Sequence, residues 1–243
     1  MTDILTVKDV SFSFGDKAVL NNVSLEVQKG EIVSILGPSG VGKSTLFNLI
    51  AGILPLQKGT IEVDNAPISF GKVSYMLQKD LLLEHKTVLG NIILPLQLKK
   101  IPKEEATSTA IKLLEEFKLG SIANHYPNAL SGGMRQRVAL LRTYLLGHSV
   151  FLLDEAFSAL DELTRQDLYQ WYLESKERLG LTTILITHSI EEALTLSDRV
   201  YILNHNPGEI VADLPLKWDP ATDRDWQQLQ YKKRIIELLS EFH

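Results

Sequence analysis

The 243-residue sequence contains no cysteine. Disulfides and thiolate chemistry are therefore excluded, which fits a reducing compartment. Long apolar runs are missing too. None approaches the ~20 residues that cross a bilayer, so if the protein works at a membrane another chain must supply the crossing. The N-terminus lacks the basic-then-apolar layout of a signal peptide. Positive charge is not in excess: 25 Lys and Arg against 30 Asp and Glu leave a net charge of −5. That balance gives no general attraction to nucleic acid or anionic lipid. The sequence has no internal repeat and no low-complexity segment. What remains is the composition of an ordinary globular chain, 44% hydrophobic and 23% charged, long enough to bury a full core as one compact unit.

Gly37-Pro38-Ser39-Gly40-Val41-Gly42-Lys43-Ser44-Thr45 follows an apolar run over residues 31–36 that predicts a buried strand. It precedes residues 46–51, which predict a helix stopped by Gly52. Strand, glycine-rich loop and helix are the setting in which G-x-x-x-x-G-K-[ST] is a phosphate-binding loop. Gly37, Gly40 and Gly42 let successive N–H groups converge on one anion, and the helix N-terminus adds about half a positive charge behind them. Lys43 can reach the β- and γ-phosphates, and the Ser44 hydroxyl can ligate Mg²⁺. A glycine-rich turn that merely joins two elements is the alternative, and the flanking strand and helix argue against it. The sequence predicts binding of a nucleoside triphosphate.

Ahead of this loop, residues 5–14 and 18–27 alternate as two strands around a turn at Gly15 and Asp16. They predict an antiparallel sheet edge before a parallel core. Phe12 and Phe14 either pack in the core or offer an aromatic platform for adenine. Short strands are expected over 59–63 and 72–77. Gln78 follows as either a solvated strand end or a group delivered at the carboxyl edge of the sheet. Residues 79–130 change character, with helices and no convincing strand. One helix runs from Pro102 to Lys118, with Ile111, Leu114 and Phe117 on one face and Gly120 as its stop. We expect a single domain in which 79–147 is a helical insertion and 1–78 with 148–243 forms the nucleotide-binding core.

Within the insertion Ser131 caps a helix to about Leu146, with Gly132 and Gly133 in its first turn. Each glycine costs on the order of 1 kcal/mol against alanine. That cost has a reason if bare N–H groups and a hydroxyl must approach an anion closely. Residues 150–153 are apolar and end in Asp154 and Glu155, the pattern of a central parallel strand with acids at its carboxyl end. Asp154 can share a Mg²⁺ shell with Ser44, and Glu155 can deprotonate a water for in-line attack on the γ-phosphorus. Two acids that simply begin a loop are the plainer reading, weakened by the phosphate loop upstream.

A helix over 162–179, stopped by Gly180, leads to a strand over 182–187 and then to His188. That histidine is either a surface or capping residue or a γ-phosphate contact. Ser189 and Glu192 predict a capping box for the next helix. Two closing strands follow, over 200–203 and 209–211. An amphipathic helix over 223–242 carries Leu229, Ile235, Ile236, Leu238, Leu239 and Phe242. It is expected to pack on its own domain rather than on a second copy.

Over essentially its full length the sequence resembles the ATP-binding subunit of an ABC transporter. Residues 37–45 match the Walker A loop, 130–137 the family signature, 150–155 the Walker B strand with its catalytic glutamate, and 158–161 the D-loop. Gln78 and His188 fall at the family's Q-loop and switch histidine. The resemblance implies an α/β fold: a P-loop NTPase core, RecA-like and mainly parallel, with an antiparallel β subdomain and a helical ABC-specific subdomain. It implies a homodimer closing head to tail over two ATP molecules, where Ser131, Gly132 and Gly133 of one copy cap the γ-phosphate held by Lys43 of the other. Glu155 would drive hydrolysis while Gln78 and His188 sense the γ-phosphate, and Gln78 would join Ser44 and Asp154 around Mg²⁺. Phe14 occupies the place of the family's adenine-stacking aromatic, usually a tyrosine.

The resemblance further implies a permease docked near residues 79–95, an extracytoplasmic solute-binding protein acting through that permease, no nucleic acid partner, and a place at the cytoplasmic face of the membrane. Residues 132–137, 154–165 and 206–208 are most similar to importers of the nitrate, sulfonate, taurine and thiamine-precursor group, without the long regulatory domain of sugar-type importers. An exporter is disfavoured by the missing span and by Ala156 and Phe157 after the acid. A soluble ABC ATPase acting on ribosomes or DNA is the alternative, disfavoured by one domain, an acidic balance and a short insertion. A regulator without turnover would need a missing catalytic residue, and none is missing.

Overall fold

The computed structural model describes residues 3–240. Phe242, expected in the last helix, lies outside them. In chain order, β1 (Asp3–Phe14) and β2 (Lys17–Gln28) pair antiparallel, and β3 (Ile32–Leu36) leads through the glycine-rich loop into α1 (Lys43–Ile50). Next come β4 (Lys58–Val63), β5 (Ala66–Pro67) and β6 (Ser74–Met76). Four helices then run without an intervening strand: α2 (Val88–Ile92), α3 (Leu94–Leu98), α4 (Lys103–Glu116) and α5 (Gly132–Tyr144). The chain returns through β7 (Val150–Asp154), α6 (Glu162–Leu179), β8 (Thr182–Thr187) and α7 (Ile190–Leu196). It finishes with β9 (Arg199–Asn204), β10 (Glu209–Pro215) and α8 (Arg224–Ser240).

The strands form two sheets. One has four antiparallel strands in the order β2-β1-β4-β5. The other has the order β10-β9-β3-β8-β7-β6, with β10 antiparallel at the edge and the remaining five parallel. β3 and β8 are buried at every position. Strands covered on both faces carry unbroken apolar and β-branched runs, which is why these two do not alternate. The sheets meet where the Asn21 N–H donates to the Gly208 carbonyl at 2.9 Å and the Gly208 N–H donates to Val19 at 2.8 Å.

The helices of residues 79–147 share a core with α6. Phe117 meets Trp171 edge-on at 5.6 Å, and Tyr144 stacks on Phe151 at 6.4 Å. On α4 the buried face is Ala106, Ala110, Leu113 and Leu114, continued by Phe117, while Ile111 is exposed. Ile111 therefore does not share a face with Leu114 and Phe117 as the sequence suggested. It sits one residue, about 100° of helix, past Ala110, and the alanines that let the helix approach closely carry a weaker apolar signal than isoleucine. On α8, Ile235 and Leu238 are buried in a cluster shared with α7 and β9, whereas Leu229 and Ile236 are exposed. The last helix thus packs on its own chain through Ile235 and Leu238, with Tyr231 and Leu239 against the same cluster.

Candidate active site

The glycine-rich loop is held between β2 and β9 by contacts that leave no room for side chains. A Cβ on Gly37 would lie 2.2 Å from the Leu203 carbonyl oxygen, and one on Gly42 would lie 2.7 Å from Leu20 Cδ2. Gly42 also has φ of 108°, a left-handed conformation that glycine adopts without steric cost. It precedes α1 with no side-chain cap, so the first-turn amides carry bare N–H groups. The helix begins at Lys43, ahead of the predicted Leu46, because Lys43, Ser44 and Thr45 lack the apolar signal from which a helix face is read. A cavity of about 250 Å³ opens here, lined by Ser39, Gly40, Gly42, Lys43, Ser44 and Thr45, with Glu155 opposite.

Lys43 is nearly buried, and its Nζ donates to the carbonyls of Gly37 at 2.7 Å and Pro38 at 2.9 Å. Burial holds its ammonium pKa below the ordinary value, opposed by the carboxylates of Glu155 and Asp154. Val41 turns its side chain into the core.

Four other site residues stand at the carboxyl ends of neighbouring strands. Leu36 of β3 pairs with Thr187 of β8, Ile186 with Asp154 of β7, and Leu153 with Met76 of β6. This register brings the loop after Leu36, then His188, Asp154 with Glu155, and Gln78 to one edge, the edge where open parallel sheets bind ligands. His188 Nδ1 lies 3.5 Å from Glu155 Oε2. Gln78 Nε2 lies 3.4 Å from the same carboxylate oxygen and donates to Ser158 Oγ at 3.1 Å. Asp154 is half-buried, and its Oδ2 accepts the Tyr75 hydroxyl at 3.0 Å. Burial pushes the Asp154 carboxyl above its ordinary pKa, while the Tyr75 hydrogen bond and the Lys43 charge pull it back.

Ser131, Gly132 and Gly133 are not among the residues lining this cavity. Ser131 caps α5 by accepting the Met134 N–H at 3.3 Å. Ser131 and Gly132 are exposed, and Gly133 is buried against Thr164 of α6, where a Cβ would lie 2.7 Å from Thr164 Cγ2. Close packing within the chain is thus one physical reason for Gly133 that the sequence did not reveal. Phe14 is exposed, edge-on to the buried Phe12 at 4.9 Å.

Comparison with known proteins agrees with this geometry. The ABC transporter family matches residues 20–158, more than half of the chain. The chain belongs to the ABC transporter family. It is similar to the formylaminopyrimidine import ATP-binding protein ThiZ of Halalkalibacterium halodurans, at 41% identity over 98% of this chain and 97% of that protein. It is also similar to the taurine import ATP-binding protein TauB of Yersinia pestis, at 38% identity over 88% of this chain and 85% of the relative. Neither relative supports an action on ribosomes or DNA. A crystal structure of the ADP conformation of an ATP-binding cassette of an ABC transporter superposes with a TM-score of 0.82, at 26% identity and 98% coverage of both chains. The protein is an ABC ATPase, and no helix among the described residues is long and apolar enough to cross a membrane.

Sequence reading missed three parts of this ABC ATPase site. Tyr75 looked like any strand residue, although its place on the strand that leads to Gln78 was a usable signal. Ser158 lay in the D-loop match but only folding sets it against Gln78; its Oγ also donates to the Glu155 carbonyl at 2.8 Å. The third is Glu192. The Ser189 hydroxyl accepts the Glu192 N–H at 3.2 Å, so half of the predicted capping box forms. The other half does not: Glu192 Oε2 accepts the Thr187 hydroxyl at 3.1 Å, and Thr187 Oγ1 accepts the Ser189 N–H at 3.0 Å. Glu192 is buried, so its carboxylate turns inward and braces the loop that carries His188.

Proposed function

We propose that this chain is the ATP-hydrolysing motor of an importer for a small solute of the nitrate, sulfonate, taurine or pyrimidine-precursor type, working at the cytoplasmic face of the membrane. The observation that carries the reading is the separation of its two nucleotide-facing features. Lys43, Glu155, Gln78 and His188 gather at one sheet edge, where Lys43 and Glu155 line the cavity, whereas the capped, exposed start of α5 is not part of that lining. A second copy arranged head to tail supplies the missing half of each site.

In this reading residues 37–45 wrap the phosphates, with the amides at the start of α1 facing the anion and Lys43 leaving the Gly37 and Pro38 carbonyls for the β- and γ-phosphates. Phe14 stacks on adenine. Glu155 takes the proton of the attacking water, and His188 and Gln78 contact the γ-phosphate. Ser131, Gly132 and Gly133 of the partner copy close over it. The Ser44 hydroxyl, the Asp154 carboxylate and the Gln78 amide oxygen are hard oxygen donors that suit Mg²⁺. Gln78 has its Nε2 committed to Ser158 and Glu155, which keeps Oε1 for the ion. Bound Mg²⁺ neutralises charge on the β- and γ-phosphates.

The chain divides into a nucleotide-binding core, 1–78 with 148–243, and a helical subdomain, 79–147, which docks an integral membrane permease near residues 79–95. An extracytoplasmic solute-binding protein delivers cargo to that permease, and no nucleic acid takes part. Affinity purification from gently solubilised native cells tests the assignment. Recovery of a small integral membrane subunit is expected. Recovery of ribosomal or DNA-repair proteins with no membrane partner overturns it.

A further inference from the structure

A second crevice, of about 210 Å³, opens where the helical insertion meets the core, and it shares no lining residue with the phosphate cavity. The end of α4 supplies Glu116, Phe117 and Lys118, α5 supplies Arg137, and α6 supplies Trp171, Glu174 and Arg178. Its volume equals that of about seven waters at ~30 Å³ each, room for a few carbon atoms with one or two charged groups. One wall is aromatic. Phe117 is buried and meets the half-buried Trp171 edge-on at 5.6 Å, which fixes the indole at the crevice.

The Arg137 guanidinium lies over that indole, 5.4 Å from the ring centre. Such stacking holds a guanidinium in place without consuming its N–H groups. The one hydrogen bond that Arg137 donates is long, Nη2 to the Asp167 carbonyl at 3.5 Å. Arginine carries five N–H donors, so most of them stay available to an acceptor in the crevice. The charges around it are also left over. Lys118, Arg137 and Arg178 stand against Glu116 and Glu174, three cations to two carboxylates, an excess of one positive charge. These five side chains could pair among themselves, yet among the described residues none of them takes part in an ion pair. Glu174 accepts instead from Gln170 Nε2 at 3.1 Å, within α6. The fold thus brings cations from three separate elements to one small space and gives none of them a carboxylate.

We propose that this crevice binds a compact organic anion, a short carbon skeleton bearing carboxylate or phosphate groups. The skeleton packs on Trp171, and the anionic oxygens take the free donors of Arg137 beside the charges of Lys118 and Arg178. Carboxylate and phosphate share the oxygen edge that a guanidinium meets with two parallel hydrogen bonds. Lys118 and Arg137 belong to the insertion and Arg178 to the core, so an occupant ties the two parts of the chain together.

The test uses the full chain carrying Trp218→Phe and Trp226→Phe, which leaves Trp171 as the only tryptophan. Succinate and glycerol 3-phosphate are titrated separately at constant ionic strength while Trp171 emission is followed, with sodium chloride, succinamide and glycerol as controls. A saturable change with half-saturation near or below about 1 mM is expected for at least one anion and for none of the controls. A response to succinate alone assigns carboxylate, to glycerol 3-phosphate alone phosphate, and to both the chemistry they share. Arg137→Gln is expected to weaken binding about tenfold, and Lys118→Gln, at an exposed position, about threefold. Lys118→Gln combined with Arg178→Gln carries the test if Arg137→Gln does not fold. Emission that changes no more with either anion than with sodium chloride overturns the proposal. So does a half-saturation that these substitutions leave unchanged.

Discussion

Glu155 reaches His188 from a backbone in the left-handed region, φ 49°, and its Oε2 lies 3.5 Å from His188 Nδ1. Non-glycine residues at such angles persist where surrounding structure over-determines them, and they cluster at functional sites. Here the Glu155 N–H is anchored to Ile186 at 2.9 Å, and its carbonyl accepts from Ser158. The strain aims the carboxylate into the phosphate cavity rather than along the strand. Glu155→Gln keeps this backbone and removes only the base. It should bind ATP normally while phosphate release falls by about 10²–10⁴-fold, the usual span for loss of a general base. Near-normal release from that variant removes Glu155 from the role.

Tyr75 bears on the same chemistry through Asp154. Tyr75→Phe deletes the hydrogen bond that opposes the burial-driven rise of the Asp154 pKa. The folded chain should lose about 1 kcal/mol of stability, the typical net value of one hydrogen bond. Asp154 should hold its proton to higher pH, so more Mg²⁺ is needed for half-maximal ATPase activity, increasingly so as pH falls. A Mg²⁺ dependence that stays unchanged as pH is lowered counts against Asp154 as a metal ligand.

Ser131→Arg examines the other half of the site. The serine is exposed and its side chain serves only the cap of α5 within its own chain. Losing that cap costs about 1 kcal/mol, which leaves the monomer folded. ATP binding by the isolated chain should survive, whereas ATP-dependent dimer closure should be lost. Closure that survives in saturating ATP contradicts the head-to-tail arrangement.

Glu192 sets a pH dependence of stability. Burial pushes its carboxyl from 4.5 up to about 7, against the hydrogen bond from Thr187. Between those values the folded chain keeps a proton that the unfolded chain has released, so stability is full at and below the lower value and is lost as pH rises to about 7. The contribution across the window is on the order of 3 kcal/mol, at about 1.4 kcal/mol per unit. Glu192→Gln should flatten that slope and should not lower stability at pH 8, roughly a unit above the titration. Urea unfolding at several pH values reads this directly, and an undiminished slope in the variant shows that another group is responsible.

Much of this protein was legible without coordinates, wherever local chemistry carries the signal. The strand-loop-helix turn around residues 37–45, the Ser131 cap, the buried run ending at Asp154 and the Gly180 stop of α6 each depend on neighbours within a few positions, and each formed as its spacing predicted. The bounds of α1 and the face of α4 were less legible, because polar first-turn residues and small alanines are weak signals beside leucine and isoleucine.

Only tertiary structure decided how the proposed catalytic groups meet. Gln78, Glu155 and His188 follow three strands far apart in sequence, and it is the parallel order β8-β7-β6 and its register that put them on one edge. The hydrogen bonds of Tyr75 to Asp154, of Thr187 to Glu192 and of Arg135 to Asp80 likewise link elements or turns whose pairing no periodicity announces. A sequence fixes local conformation through steric and capping preferences of short range. Contacts between remote segments follow from which apolar faces pack together, and that is settled by the whole chain at once.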